Sequence, residues 1–307
     1  MAYFGFVFIC AVWGSSFILM KYGTVCFSPV AVAAWRLISG ATVLAIIWWR
    51  VRGPWALKRC DFAAVAFVVI FGFAWPFSIQ PYLVARDGSA FISMIVGFTP
   101  LVTTAVSIPL LKIYPQRRQI VGVLGALGFL ALLVLDGRNR RIPASDLALA
   151  LTVPVCYALT NTLIRRSLAH VPSLELSLVS LAAAGALLFP FSLMARSGQV
   201  PIGSSAAVGT EAFRAIAAVA ILGILGTGVA TFGFNTLIQE QGPLFAGMVT
   251  NLVPIGGLLW GWADREPVTP LQLVALAGLV SMVTIVQFGG GRMANAETPM
   301  TNGTVDS

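Results

Sequence analysis

The sequence predicts an all-α integral membrane protein with ten transmembrane helices, arranged as two inverted five-helix repeats. Three observations lead to this prediction: the composition, the lengths of the apolar segments and an internal repeat. Of the 307 residues, 58% are hydrophobic and 10% are charged, whereas a soluble domain carries about 25% charged residues. This composition excludes an ordinary soluble globular protein.

The apolar residues form segments of roughly 18 to 25 residues, the length that crosses ~30 Å of hydrocarbon as a helix. The segments lack the alternation of barrel strands, and lipid requires each backbone polar group to be satisfied internally, so helices are predicted. We place them near residues 3–20, 29–49, 63–80, 89–111, 117–135, 145–165, 173–195, 212–237, 243–262 and 269–289. The predicted domains are a first repeat over 1–140, a second over 141–290 and a disordered polar tail over 291–307.

The net charge of +8 does not indicate nucleic-acid binding, because the basic residues stand in small groups beside apolar segments. Positive charge near helix ends marks cytoplasmic loops. The groups Arg50, Arg52, Lys58, Arg59 and Lys112, Arg117, Arg118 therefore predict that these loops and both termini are cytoplasmic. Arg138, Arg140 and Arg141 then fall on the outer side, against this rule. The four cysteines show no CxxC spacing, so neither a disulfide nor a metal site is predicted.

The two halves of the chain resemble each other. A shift of about 154 residues aligns Asp87-Gly88-Ser89 with Gln241-Gly242-Pro243, and Pro100 with Pro254. A shift of 144 aligns the Trp13 segment with the Tyr157 segment. An odd number of helices per repeat inverts the second copy, which is the architecture of alternating-access carriers. The alternative is chance similarity between apolar segments of low complexity.

Short motifs along the chain complete this pattern. They are Trp13-Gly14-Ser15-Ser16-Phe17, Arg36-Leu37-Ile38-Ser39-Gly40, Thr99-Pro100-Leu101, Gly122-Val123-Leu124-Gly125, Tyr157-Ala158-Leu159 and Val253-Pro254. In their order and spacing, over about residues 3–290, the chain resembles the drug/metabolite transporter superfamily of the EamA-like ten-helix type. The resemblance implies an inner-membrane carrier of bacterial type that exports amino acids or similar metabolites through a cavity between the repeats. The chain departs from the family at Val253, where a polar or acidic residue commonly precedes the proline.

Arg36 is the basic residue that lies deepest in an apolar segment, about 10 Å from Pro29 along a helix. A guanidinium at that depth needs a partner, water or carbonyl groups. One interpretation is a counter-ion for an anionic group of the substrate, such as a carboxylate. The other is that the side chain reaches the interface or holds helix ends together.

Further polar and aromatic residues at membrane depth are candidates for an uncharged, hydrogen-bonding cavity. With Arg36, the predicted substrate-cavity residues are Trp13, Ser16, Gln80, Tyr82, Tyr157, Asn161, Asn235 and Asn251. The alternative for each polar residue is an ordinary contact between helices. Pro100 and Pro254 are predicted hinges, because each removes a helical hydrogen bond at equivalent places in the two repeats; a plain kink is the alternative.

Motifs of phosphate loops, zinc peptidases and serine hydrolases are absent from the sequence, so we predict no catalytic residue, no cofactor and no metal. The expected function is secondary transport, and not catalysis, with the lipid bilayer and a small-molecule substrate as partners and without nucleic acid. A homodimer is left open. A membrane enzyme of lipid or isoprenoid chemistry and a non-transporting scaffold are the alternatives.

Overall fold

The structure is a computed structural model that describes residues 2–51, 55–111, 117–195, 205–234 and 243–287. Helices α1 and α2 span Ala2–Cys26 and Pro29–Val51, α3 spans Arg59–Asp87, and α4 consists of Ser89–Val96 and Thr99–Leu111. Helices α5, α6 and α7 span Arg117–Asn139, Ala144–Ser167 and Ser173–Met194. Helix α8 begins as Ser205–Ile221 and continues through Leu222–Val229 to residues 230–234, and α9 and α10 span Pro243–Ala263 and Pro270–Gln287.

The predicted all-α membrane fold is confirmed. Within the described residues, eight helices are long and apolar enough to cross a membrane, and the described parts of α9 and α10 contribute two shorter apolar segments, Leu252–Ala263 and Pro270–Val286. The ten helices fall close to the ten predicted segments. The predicted polar tail over 291–307 lies outside the described residues, and the exact domain boundaries stay a prediction.

The helices pack with the symmetry of two repeats of five. The second helices of the repeats, α2 and α7, pack on each other, and so do the fifth helices, α5 and α10. The cross-pairs also correspond: α1 packs on α9 as α6 packs on α4, and α2 packs on α8 as α7 packs on α3. Since each repeat crosses the membrane five times, the second repeat enters from the side opposite to the first.

The bundle therefore has two ends, which we name by a residue at each. The Lys21 face is the end where α1, α3 and α9 end and α4 begins. The Glu175 face is the end where α2 ends and α3 and α7 begin.

Helices α3 and α8 each contain a π-helical segment, at Val68–Ala74 and Leu222–Val229. These segments begin 154 residues apart, which is the shift that aligns the repeats. A π-helical turn widens the helix and is frequent at functional sites. Gly72 and Gly226 stand at equivalent places in the two segments, and both line the central cavity described below.

Helix α4 is broken at Gly97–Phe98, and this corrects the expectation that Pro100 lies within one continuous helix. Pro100 is the second residue of the segment Thr99–Leu111, where its missing N–H leaves no helical hydrogen bond unmade. Pro254, by contrast, lies inside α9. A Cβ on Gly97 would stand 2.2 Å from Pro254 Cγ, so the break in α4 packs directly against the proline of α9.

Two helix crossings depend on the absence of a side chain. Gly122 and Gly125 of α5 face Val286 and Met282 of α10. At the crossing of α1 and α9, a Cβ on Gly14 would stand 2.9 Å from the Cα of Gly256. Small residues allow such backbone approach in membranes, where van der Waals packing replaces the hydrophobic effect between helices.

We therefore expect Gly14→Ala to destabilise the protein by about 1 to 3 kcal/mol, the usual cost of overpacking a well-packed contact. Gly128→Ala on α5 is the matched control, because a Cβ there would meet no heavy atom within 4 Å. Thermal unfolding in one detergent measures both variants. Equal melting temperatures for the two variants would contradict the close crossing of α1 and α9.

Candidate functional site

A cavity of about 290 Å³ lies between the two repeats. Its size is near the lower end of small-molecule sites, which measure roughly 300 to 1,000 Å³. Helices α1, α2, α3 and α4 of the first repeat and α6, α8 and α9 of the second contribute to its wall. The polar and charged residues that line it are Ser16, Arg36, Gln80, Thr99, Tyr157, Thr160, Asn161, Thr227 and Thr231.

Arg36 is the charged group of this cavity, and only 7% of its surface is exposed. Its Nε donates a hydrogen bond of 2.7 Å to Thr227 Oγ1. Its Nη1 lies 3.6 Å from the sulfur of Met20, a weak acceptor, and its Cζ stands 4.1 Å from the centre of the Phe77 ring. In the described part of the chain no carboxylate forms an ion pair with Arg36. The guanidinium is therefore held in place by neutral groups, and its charge is left without a counter-ion from these residues.

The π-helical segment of α8 provides the acceptors on one side of the cavity. Thr227 Oγ1 donates a hydrogen bond of 3.1 Å to Leu222 O, five residues earlier, and so holds its oxygen toward Arg36. The Gly226 carbonyl accepts a hydrogen bond of 2.9 Å from Trp13 Nε1. Trp13 also packs on Phe234 with ring centres 4.9 Å apart. The widened turn thus binds α1 and α2 to α8 at the depth of the cavity.

A second polar contact joins the repeats across the cavity. Gln80 Nε2 of α3 donates a hydrogen bond of 2.7 Å to the hydroxyl of Tyr157 on α6. Both residues line the cavity together with Asn161, one helical turn after Tyr157. The wall thus offers hydroxyl and amide groups beside the one guanidinium, with aromatic rings between them.

The structure brings six of the nine predicted cavity residues to this one cavity. They are Trp13, Ser16, Arg36, Gln80, Tyr157 and Asn161. Tyr82 does not line it; its hydroxyl contacts Arg86 near the Lys21 face. Asn235 lies outside the described residues, and Asn251 lies in α9 with a side chain outside the described part. Of the two predicted hinges, Pro254 packs on the cavity residue Gly97, and Pro100 follows the cavity residue Thr99.

The cavity residues that were not predicted from the sequence include Phe77, Thr227 and Thr231. Phe77 lies one helical turn before Gln80, so helical periodicity could have found it. The run Leu-Gly-Ile-Leu-Gly-Thr-Gly at residues 222–228 was the available signal for Thr227. Repeated glycines within a membrane helix mark irregular turns and close approach.

The Lys21 face is closed by a cluster of charged residues from distant parts of the chain. Lys21 Nζ lies 2.6 Å from Asp264 Oδ2 and 2.6 Å from Glu266 Oε1. Glu266 also accepts hydrogen bonds from Ser89 N, Ser89 Oγ and Ala90 N at 2.9 to 3.0 Å. We call Lys21, Asp264, Glu266 and Ser89 the latch, because they join α1, the α9–α10 loop and the start of α4.

The carboxyl groups of the latch titrate below their ordinary range. Burial raises the pKa of Glu266, but hydrogen bonds from Ala90 N, Lys21 and Ser89 N outweigh it, and the pKa is lowered. The pKa of Asp264 is also lowered: burial raises it, and Lys21 and Tyr22 more than offset that effect. Both carboxylates are therefore stabilised in the folded protein.

A lowered folded-state pKa contributes stability above the unfolded pKa, and that stability is lost as the pH falls through the folded pKa. We expect the melting temperature of the wild type to fall between about pH 5 and pH 3, around and below the ordinary glutamate pKa of ~4.3. Glu266→Gln should have a lower melting temperature than the wild type at neutral pH, and its melting temperature should fall less on acidification. Thermal unfolding across this range checks the difference, and parallel curves for the two proteins would rule out a titrating latch.

Comparison with known proteins decides the family. The model of the EamA-like transporter family matches residues 1–135 and 145–287, one match for each repeat. The chain belongs to the EamA-like transporter family. This EamA-like protein is therefore a multi-pass membrane transporter with the two-repeat architecture of that family.

Two similar proteins extend the comparison. The EamA-like chain is 27% identical over 277 residues to the "Uncharacterized transporter YyaM" of Bacillus subtilis (strain 168), with 85% of each chain covered. A solved crystal structure has the same fold, with a TM-score of 0.65 at 17% identity, over 95% of this chain and 98% of the other.

Proposed function

We propose that this transporter exports a small organic metabolite with an anionic group, such as an amino acid, through the central cavity by alternating access. The observation that carries the proposal is the buried Arg36, whose charge faces the cavity without a carboxylate among the described residues. A guanidinium is costly at membrane depth. A carboxylate from the solute is well matched to it, because arginine and carboxylate form short, charge-assisted hydrogen bonds.

The remaining wall supports a zwitterionic solute over a purely apolar one. Gln80, Tyr157 and Asn161 offer oxygens that can accept hydrogen bonds from an ammonium group, while Trp13 and Phe77 offer aromatic faces to it. Neutral acceptors of this kind orient a solute without holding it so strongly that it cannot leave. The solute is therefore bound by its carboxylate at Arg36 and oriented by amide and hydroxyl groups.

The asymmetry between the two ends of the bundle supports alternating access. The latch and a buried apolar cluster that includes Leu83, Phe91 and Ile92 fill the bundle near the Lys21 face. The cavity instead extends toward the Glu175 face, where Ile164 and Phe234 line it. In an inverted-repeat carrier, closing one end and opening the other requires one repeat to rock against the other. The break at Gly97 against Pro254 is the proposed hinge of that movement.

The distribution of basic residues supports the membrane orientation. Arg50, Lys58, Arg59, Arg117 and Arg118 all belong to the Glu175 face, which we assign to the cytoplasm of a bacterial inner membrane together with both termini. Export then begins at the Glu175 face and ends at the Lys21 face.

Transport by the purified protein in proteoliposomes, against a panel of labelled amino acids and simple carboxylic acids, tests the function. We expect at least one of them to be carried, and we expect Thr231→Trp to abolish this transport because the new ring fills the cavity. Phe213→Trp is the matched control on the same helix, at a side chain that is 72% exposed. Equal transport by the two variants would show that solute does not pass through this cavity.

A further inference from the structure

A second pocket, of about 240 Å³, lies at the Lys21 face, where α3 ends and the α5–α6 loop passes over it. It is lined by Arg86, Asp87, Arg140, Arg141, Ile142 and Pro143. None of these residues lines the central cavity. The pocket is therefore a separate site, and it contains Arg140 and Arg141, two of the three basic residues that break the charge rule for an outer loop.

The arginines of this pocket are only partly neutralised. Arg86 Nε lies 3.1 Å from Asp146 Oδ2, an ion pair without the angle of a hydrogen bond. The guanidinium carbon of Arg140 stands 5.6 Å from the centre of the Phe91 ring. No carboxylate of the described chain forms an ion pair with Arg140 or Arg141. Two guanidinium groups are thus available to an oxyanion.

The turn at Arg141 is the end of helix α5. Its φ is 61°, and the backbone N–H groups of Arg141 and Ile142 donate to Arg138 O and Gly137 O at 2.9 Å. Helices commonly end with one residue in this left-handed conformation and with these two hydrogen bonds. The helix end thus fixes the backbone that carries Arg140 and Arg141.

The same pocket contains a buried carboxylate. Asp87 is only 8% exposed, and its Oδ2 has no hydrogen-bond partner within the described residues. A buried acceptor without a partner is costly, and in a native structure it points to a missing donor. Asp87 also lines the pocket, so its carboxylate offers a ligand bound there the charge that an ammonium group requires.

We propose that this pocket binds a zwitterion, with its oxyanion on Arg140 and Arg141 and its ammonium group on Asp87. Because the pocket lies at the helix ends, such a group has two sources: the phosphoethanolamine headgroup of a membrane lipid, or a free zwitterionic solute at the mouth of the transporter. The chemistry recognised is the same in both cases. The site is distinct from the cavity, and its occupancy does not depend on the proposed export.

Two binding measurements on the full-length protein separate these sources. In phosphatidylcholine nanodiscs, soluble O-phosphoethanolamine is titrated by calorimetry. In detergent, native mass spectrometry measures how much phosphatidylethanolamine is retained relative to phosphatidylcholine. Binding of the soluble probe assigns the site to a free zwitterion, and preferential retention of phosphatidylethanolamine alone assigns it to the lipid; either result supports the proposal.

The variants decide which residues bind. The double variant Arg140→Gln with Arg141→Gln should bind the probe about tenfold more weakly or worse, since it removes two charge-assisted contacts. Arg138→Gln is the matched control, from the same loop but outside the pocket. Asp87→Asn should weaken the binding of O-phosphoethanolamine but not that of inorganic phosphate, which carries no ammonium group. The proposal is overturned if neither ethanolamine probe binds, or if the double variant binds like Arg138→Gln while both unfold at the wild-type temperature.

Discussion

Arg36→Ala is expected to weaken binding of the transported anionic solute by about 2 to 5 kcal/mol. This is the usual cost of removing one partner of a buried charge pair, and its lower limit corresponds to roughly thirtyfold weaker binding. The reason is that Arg36 is the charged group among the residues that line the cavity. The measurement is the concentration dependence of uptake into proteoliposomes, for the compound that the wild type carries best.

Two further variants show whether the effect belongs to the guanidinium at this place. Arg36→Lys keeps the charge but loses the planar fork, so its transport should lie between those of the wild type and Arg36→Ala. Arg214→Ala is the matched control, because Arg214 is about half exposed and lies outside the cavity, where it contacts Glu211 at 3.5 Å and the Tyr22 ring at 5.0 Å. The melting temperature of each variant is measured alongside, because Arg36→Ala also loses the contacts of Arg36 with Thr227 and Phe77. Unchanged transport in Arg36→Ala would refute the counter-ion role.

Lys21→Ala is expected to open the Lys21 face. Without the ammonium group, the carboxylates of Asp264 and Glu266 face each other near the starts of α4 and α10 and repel. We expect the cavity to become accessible from that face about tenfold more often, a moderate value because Lys21 is partly exposed to solvent. Lys58→Ala, at an exposed lysine near the Glu175 face, is the matched control.

The readout for Lys21→Ala is the rate at which a membrane-impermeant thiol reagent modifies a cysteine at position 231, in a protein whose four native cysteines are replaced. Right-side-out and inside-out vesicles expose one face of the protein and then the other to the reagent. Faster labelling from the Lys21 face in Lys21→Ala, and not in Lys58→Ala, is the expected result. A rate that is unchanged in both would show that the latch does not close the cavity.

The fold could be predicted from the sequence because the membrane leaves few alternatives. Apolar segments of spanning length must be helices, and the structure has helices close to all ten predicted places. Arg36, Gln80 and Asn161 could be selected because polar groups at this depth avoid lipid. Tyr82 does not share their cavity, since two residues after Gln80 correspond to about 200° around the helix.

Other features could not be read from one sequence. The latch joins Lys21 to Glu266, which is 245 residues away, and no local pattern specifies such a pairing. The π-helical segments of α3 and α8 depend on packing across the bundle as well as on their glycines. The break in α4 was misread because Pro100 suggested a kinked continuous helix, whereas the segment restarts at Thr99.

Export by alternating access requires one cavity that opens first to one side of the membrane and then to the other. Side-specific labelling of Thr231→Cys, with the latch intact and with transported solute present or absent, tests this directly. We expect modification from both faces, and slower modification from both when the solute occupies the cavity. Modification from a single face only, or labelling that solute leaves unchanged from either face, would contradict it.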